Sequence, residues 1–141
     1  MTRREVIIYT DGASRGNPGR AGVGVVIKDT KGNILKRLSE YVGVTTNNVA
    51  EYMALLTALN FVKQRVDSVT IFSDSELLVK QVKGEYKVRN KKLKAFYNSA
   101  TAMLGWFKEF RIHHISREEN READSLANKA INGNAARTKA G

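Results

Sequence analysis

The sequence predicts one α/β domain. Three observations carry that prediction: short runs of β-branched and aromatic residues, apolar stripes at helical spacing between them, and carboxylates where the two kinds of segment meet. The 141 residues are 42% apolar, enough to bury a core without staples. There is no cysteine, which excludes disulfides and thiolate metal sites, so any bound cation must rely on carboxylate, imidazole or backbone oxygen. The N-terminus, Met1-Thr2-Arg3-Arg4-Glu5, leads straight into a strand and lacks the apolar region of a signal peptide. No run approaches membrane-spanning length, and the expectation is a cytoplasmic protein with no membrane partner.

Taken in order, Val6-Ile7-Ile8-Tyr9-Thr10 has the composition of a strand buried on both faces and is predicted to end at Asp11-Gly12. The stretch from Gly12 to Gly19 is rich in turn formers and is predicted to be a loop, after which Gly22 to Ile27 begins a second strand. Such a loop would let a nucleic-acid backbone approach main-chain amides closely, although it lacks the lysine pattern of a phosphate loop. Asp29 to Asn33 separates the second strand from a third, Ile34 to Val42, so the first three strands form an antiparallel meander. Thr45-Thr46-Asn47-Asn48 then opens a helix bearing Ala50, Glu51, Ala54, Leu55, Ala58, Leu59 and Val62.

Val69-Thr70-Ile71-Phe72-Ser73 reads as a central strand that hands over, at Asp74, to a helix carrying Leu77, Leu78, Val79 and Val82. A longer helix follows from about Lys92 to Phe107, with Leu93, Phe96, Tyr97, Ala100, Met103, Leu104 and Phe107 on a core-facing stripe. Phe110 to Ile115 forms a fifth strand, on which the adjacent His113 and His114 point to opposite faces and make a poor chelating pair. A polar loop, Ser116 to Glu122, leads into a last helix where Leu126, Ala127, Ala130 and Ile131 pack and Asp124 occupies the first turn. Asn132 to Gly141 lack apolar anchors, so the folded domain is expected to span residues 1–131 and a flexible tail residues 132–141.

Four acids stand out against a formal net charge of +10. Asp11 and Asp74 close strands at the open end of a sheet, where α/β folds bind ligands. Glu51 shares a helix stripe with Leu55, Ala58 and Val62, so its carboxylate leans toward the sheet and needs a partner or a cation to offset desolvation. Each acid also has a purely structural alternative: Ser73 with Glu76 fits a capping box beside Asp74, Glu51 sits three residues after Asn48, and Asp124 suits a helix start. Carboxylates gathered from two strands and two helices could instead hold a pair of Mg²⁺ or Mn²⁺ ions. The net charge suits a polyanionic partner, and Lys80, Lys83, Lys87, Arg89, Lys91, Lys92 and Lys94 are opposed within their segment only by Glu85.

Over roughly residues 4 to 131 the chain resembles a type 1 ribonuclease H, the cellular RNase HI family. The resemblance rests on Tyr9-Thr10-Asp11-Gly12-Ala13 with Gly16-Asn17-Pro18-Gly19-Arg20-Ala21-Gly22, on Thr46-Asn47-Asn48-Val49-Ala50-Glu51, on Ser73-Asp74-Ser75, and on Asn120-Arg121-Glu122-Ala123-Asp124. It implies an RNase H-like fold with a five-stranded mixed sheet, an antiparallel meander then parallel strands, flanked by helices. It further implies a monomer that cleaves the RNA strand of RNA/DNA hybrids, with two Mg²⁺ or Mn²⁺ ions held by Asp11, Glu51, Asp74 and Asp124. Asn17, Asn47 and Asn48 would contact the hybrid minor groove and Thr46 a phosphate of the DNA strand. Lys87, Lys91 and Lys92 are the expected phosphate-tracking cations.

The chain departs from the family pattern in three places. The loop before the last aspartate is short and lacks the histidine found there in many members, leaving Arg117 as the nearest functional substitute and His114 as a weaker one. Glu76 stands where many members have a glutamine. The segment after Val82 is shorter than the basic helix and handle of the bacterial enzymes, which brings the pattern closer to archaeal-type and compact bacterial members. Two other expectations stand beside hybrid cleavage: a broader nuclease of the same fold that also cuts double-stranded RNA, and a non-catalytic hybrid-binding module.

Overall fold

A computed structural model describes the backbone of residues 4–140 and side chains as far as Asn134; Met1 to Arg3, part of the stretch read for a signal peptide, and Gly141 lie outside the described residues. The chain forms β1 (Glu5–Gly16), β2 (Gly19–Lys28), β3 (Ile34–Thr45), α1 (Asn47–Val62), β4 (Ser68–Ser73), α2 (Glu76–Val82), α3 (Lys91–Leu104), β5 (Glu109–His114), a 3-10 turn (Arg117–Asn120) and α4 (Arg121–Ala140). The strands make one sheet in the order β3-β2-β1-β4-β5. β1 pairs antiparallel with β2 and β2 with β3, whereas β1 with β4 and β4 with β5 are parallel. This is the expected mixed sheet: two-ended hairpins suffice for the meander, and the parallel pairs require helical crossovers, here α1 and then α2 with α3.

One face of the sheet carries the core. Val6, Ile8, Val69, Ile71 and Ile112 from the strands meet Leu55, Leu59 and Val62 of α1, with Leu93, Ala100, Leu104 and Phe107 closing the layer. On the other face α4 rides directly on β2, because a Cβ at Gly22 or Gly24 would clash with the carbonyl oxygens of Ala127 and Ala123. None of the described helices is long and apolar enough to cross a membrane.

Two expectations need correction. The loop placed between Gly12 and Gly19 is mostly strand: β1 runs on to Gly16, β2 starts at Gly19, and the pairing continues from Asp11↔Gly24 to Gly16↔Gly19. Gly12 lies in that strand because a Cβ there would overlap the backbone of Ala50 and Glu51, so its role is close packing of α1. The third helix stops at Leu104 rather than Phe107, as Trp106 and Phe107 turn back onto the carbonyls of Met103 and Leu104, yet Phe107 remains buried. Ile131 is the last fully buried residue of α4 among the described side chains, and the backbone is helical to Ala140 through the stretch expected to be a flexible tail.

Candidate active site

Asp11 lies one residue beyond Thr10↔Ser73, the last pair that β1 makes with β4. Because β1 outruns its parallel neighbour, Asp11 emerges at the carboxyl end of β4, where Asp74 follows Ser73. Glu51 comes from α1, and the close packing of Gly12 on that helix lets the Gly12 N–H donate to Glu51 Oε1 at 2.6 Å. Glu51 is therefore no capping partner; the cap is Thr46, whose Oγ1 accepts from the Val49 N–H at 3.2 Å. The capping box expected of Ser73 and Glu76 does not form either. Ser75 caps α2, Ser73 Oγ accepts from the Ser75 N–H at 3.1 Å, and Glu76 pairs with Lys80 at 2.8 Å. Asp74 is thus left without a capping role.

Asp124 sits in the first turn of α4, delivered by a 3-10 turn that Ser116 and Glu119 cap reciprocally. Asn120, buried at the end of that turn, donates from Nδ2 to the Thr10 carbonyl at 2.9 Å and so ties the entrance of α4 to the residue before Asp11. In the sequence Asn120 stands only as the first residue of the motif ending at Asp124, and no hydropathy signal marks this tie to Thr10.

The four acids meet in a cavity of about 310 Å³ lined by Asp11, Gly12, Ala13, Asn47, Glu51, Asp74, Ser75, Arg117 and Asp124. Asp11, Glu51 and Asp74 each offer an oxygen, and these three atoms lie within 4.8 Å of one another. Asp124 lines the same cavity and adds its charge to the group. Burial, reinforced by the charges of Glu51, Asp74 and Asp124, pushes the Asp11 carboxyl up to about 10. Burial also raises Glu51 to about 8 with help from Asp74 and Asp124, against the opposing Gly12 N–H and the Arg117 charge. Like charges this close cannot all ionise without compensation. Asp11 Oδ2 is moreover buried with no hydrogen-bond partner, a costly state for a carboxylate oxygen. An all-oxygen donor set with a surplus of negative charge and an orphaned oxygen fits a hard divalent cation.

Asn47 lines the cavity, and its N–H donates to Asn17 Oδ1 at 3.1 Å, which fastens the tip of the β1–β2 hairpin to the start of α1. Thr46 and the exposed Asn48 flank it. Arg117 faces the acids. His114, by contrast, ends β5 beside Glu76 and is not part of the cavity wall. Lys87, in the segment after α2, and Lys91 and Lys92, in the first turn of α3, are exposed and lie outside the cavity wall.

A family model described as reverse transcriptase-like matches residues 9–130. Ribonuclease HI of Halobacterium salinarum is 39% identical over 124 residues, covering 87% of this chain and 62% of that protein. The ribonuclease H of Francisella philomiragia is 34% identical over 143 residues, with 92% of each chain covered. The chain belongs to the type 1 ribonuclease H family. Its fold agrees: the halobacterial RNase H1 crystal structure superposes with a TM-score of 0.89 at 38% identity, covering 92% of this chain and 98% of that one. LC11-RNase H1, solved in complex with an RNA/DNA hybrid, gives a TM-score of 0.87 at 46% identity, covering 92% and 99%. The chain spans 35% of the mycobacterial relatives it matches, among them the Mycobacterium tuberculosis bifunctional protein Rv2228c, at 37% identity over 90% of this chain.

Proposed function

We propose that this ribonuclease H is a cytoplasmic, monomeric endonuclease that hydrolyses the RNA strand of RNA/DNA hybrids, leaving 5′-phosphate and 3′-hydroxyl ends. What supports it above all is the gathering of Asp11, Glu51 and Asp74 oxygens within 4.8 Å at a buried site of a protein with net charge +10. Asp11, Glu51, Asp74 and Asp124 would hold Mg²⁺ or Mn²⁺, two ions in all, which when bound supply Lewis-acid stabilisation and an activated water for in-line attack on the phosphodiester.

The chain's own groups prepare that chemistry. The Gly12 N–H holds Glu51 at a fixed angle, and Asn120 holds the 3-10 turn and α4 against β1, so acids from four elements share one register. Arg117, a guanidinium donor in the cavity lining, supplies charge and hydrogen bonds for a phosphate. Asn17, Asn47 and Asn48 offer both donors and acceptors, the chemistry needed to read 2′-hydroxyls and base edges across a shallow minor groove. Thr46 binds a phosphate of the DNA strand, and Lys87, Lys91 and Lys92 attract the backbone further along. The hybrid seen with LC11-RNase H1 supports this substrate class. Side-by-side assays of a labelled RNA/DNA hybrid and the same-sequence RNA duplex test it. Cleavage of the hybrid RNA strand alone is expected; equal cleavage of both duplexes, or binding without cleavage, would overturn it.

A further inference from the structure

We propose that Arg15 and Asn128 are positioning residues for Asp124, acting together through one amide. Asn128 lies one helical turn after Asp124 on α4, and its Nδ2 donates to Asp124 Oδ1 at 3.2 Å and to the Asp124 carbonyl at 3.0 Å. Its Oδ1 accepts from Arg15 Nη2 at 3.2 Å, and the same nitrogen donates to Asn132 Oδ1 at 2.9 Å. A carboxamide has a donor end and an acceptor end, whereas a guanidinium only donates. With Arg15 in place the carbonyl end of Asn128 is taken, so its amino end must face the Asp124 carboxylate. The flipped amide would set donor against donor at Arg15 and oxygen against oxygen at Asp124.

Asp124 is the acid that most needs this support. Asp11, Glu51 and Asp74 bring their oxygens together from strand ends and a helix fixed by the core, but Asp124 is not in that close group and is only half-buried. Partners one shell out from a ligating carboxylate orient it and set its affinity for metal. This inference rests on the metal-dependent function proposed above. It adds a mechanical link: Arg15 stands two residues before Asn17, so the hairpin that would meet the hybrid and the acid that would hold metal share a single hydrogen-bonded chain. Asn132 provides a built-in control, because Arg15 can dock β1 on α4 through Asn132 without touching Asp124.

The test compares Asn128→Ala, Asn128→Gln, Arg15→Ala and Asn132→Ala in the full chain. Two readouts are taken: the Mn²⁺ concentration at half-maximal rise in melting temperature with no nucleic acid present, and kcat and KM on a hybrid. Asn128→Ala and Arg15→Ala are expected to raise the metal midpoint about tenfold and to lower kcat with KM within about twofold. Asn128→Gln, which keeps both ends of the amide, should recover part of the loss, and Asn132→Ala should match wild type within about twofold. Asn128→Ala and Arg15→Ala indistinguishable from Asn132→Ala in both readouts would overturn the proposal. Should Asn128→Ala fail to fold, Arg15→Ala alone decides it, since Arg15 is an exposed residue outside the core. A wild-type protein with neither metal response nor cleavage would overturn the function itself, which keeps the two failures distinct.

Discussion

Replacing Asp11 by asparagine should stabilise the metal-free protein. In the unfolded chain this carboxyl ionises near 3.8, whereas in the fold burial and three neighbouring acids raise it to about 10. A raised folded value favours the fold below the unfolded pKa, and that contribution drains away as pH climbs from about 4 toward 10. At pH 7 a single carboxyl so placed costs about 4 kcal/mol, from 1.36 kcal/mol for each of roughly 3 units between 3.8 and the working pH. Glu51 and Asp74 remain to share the strain in the variant, so about 2–4 kcal/mol is the expected gain. For a domain of this size that is roughly 5–15 °C in melting temperature. Thermal melts of wild type and Asp11→Asn in chelator at pH 5, 7 and 9 measure it. The gap should widen with pH, because only wild type loses the Asp11 contribution, and Mg²⁺ should narrow it by stabilising wild type more. A variant that melts lower throughout, or a gap constant across pH, would refute the reasoning.

Other outcomes follow from the same geometry. Lys87→Ala, Lys91→Ala and Lys92→Ala combined should weaken hybrid binding and flatten the slope of log affinity against log salt by about 2 to 3, as each lost phosphate contact frees fewer counterions; an unchanged slope would leave these lysines as solubilising groups. Arg117→Ala should lower turnover at least tenfold and Arg117→Lys recover part, with no added titration near the histidine pKa of about 6.5 in the pH–rate profile. Full activity in Arg117→Ala with a large loss in His114→Ala would move the role to the histidine. Truncation after Asn134 keeps the buried Ile131 and the Arg15 to Asn132 hydrogen bond, so hybrid cleavage within about twofold of the full chain is expected from steady-state kinetics.

The antiparallel meander and the places of the four acids at element ends or on an inward stripe were legible in the sequence because they depend on short-range pattern, whereas the mixed five-stranded sheet followed from the family resemblance. Val6 to Thr10 and Val69 to Ser73 each read as buried strands, and each is followed at once by an aspartate. What stayed hidden depends on contacts between distant segments. Gly12 looks like a turn residue until α1 is laid against it, whereupon it proves to be a strand position without room for a side chain. The same contact explains Glu51: its stripe position showed that it pointed inward, but only the fold reveals the Gly12 N–H that receives it, thirty-nine residues away. Asn120 and Asn128 are ordinary polar residues by composition, and their roles come from the Thr10 carbonyl and from Arg15, both more than a hundred residues distant. The helix past Ile131 was missed for the opposite reason. Lack of apolar anchors argues against packing, yet Ala135, Ala136, Arg137, Lys139 and Ala140 are good local helix formers by type.

The most direct measurement is cleavage of an end-labelled RNA/DNA hybrid by wild type and Asp74→Asn, each with Mg²⁺, with Mn²⁺ and with excess chelator. The expected result is RNA-strand cleavage by wild type with either ion, none in chelator, and a loss of more than about a hundredfold in Asp74→Asn with hybrid binding intact or tighter, since a metal ligand and a repelling charge leave together. Cleavage that persists in chelator, or an Asp74→Asn rate within tenfold of wild type, would contradict a metal-dependent site built on these carboxylates.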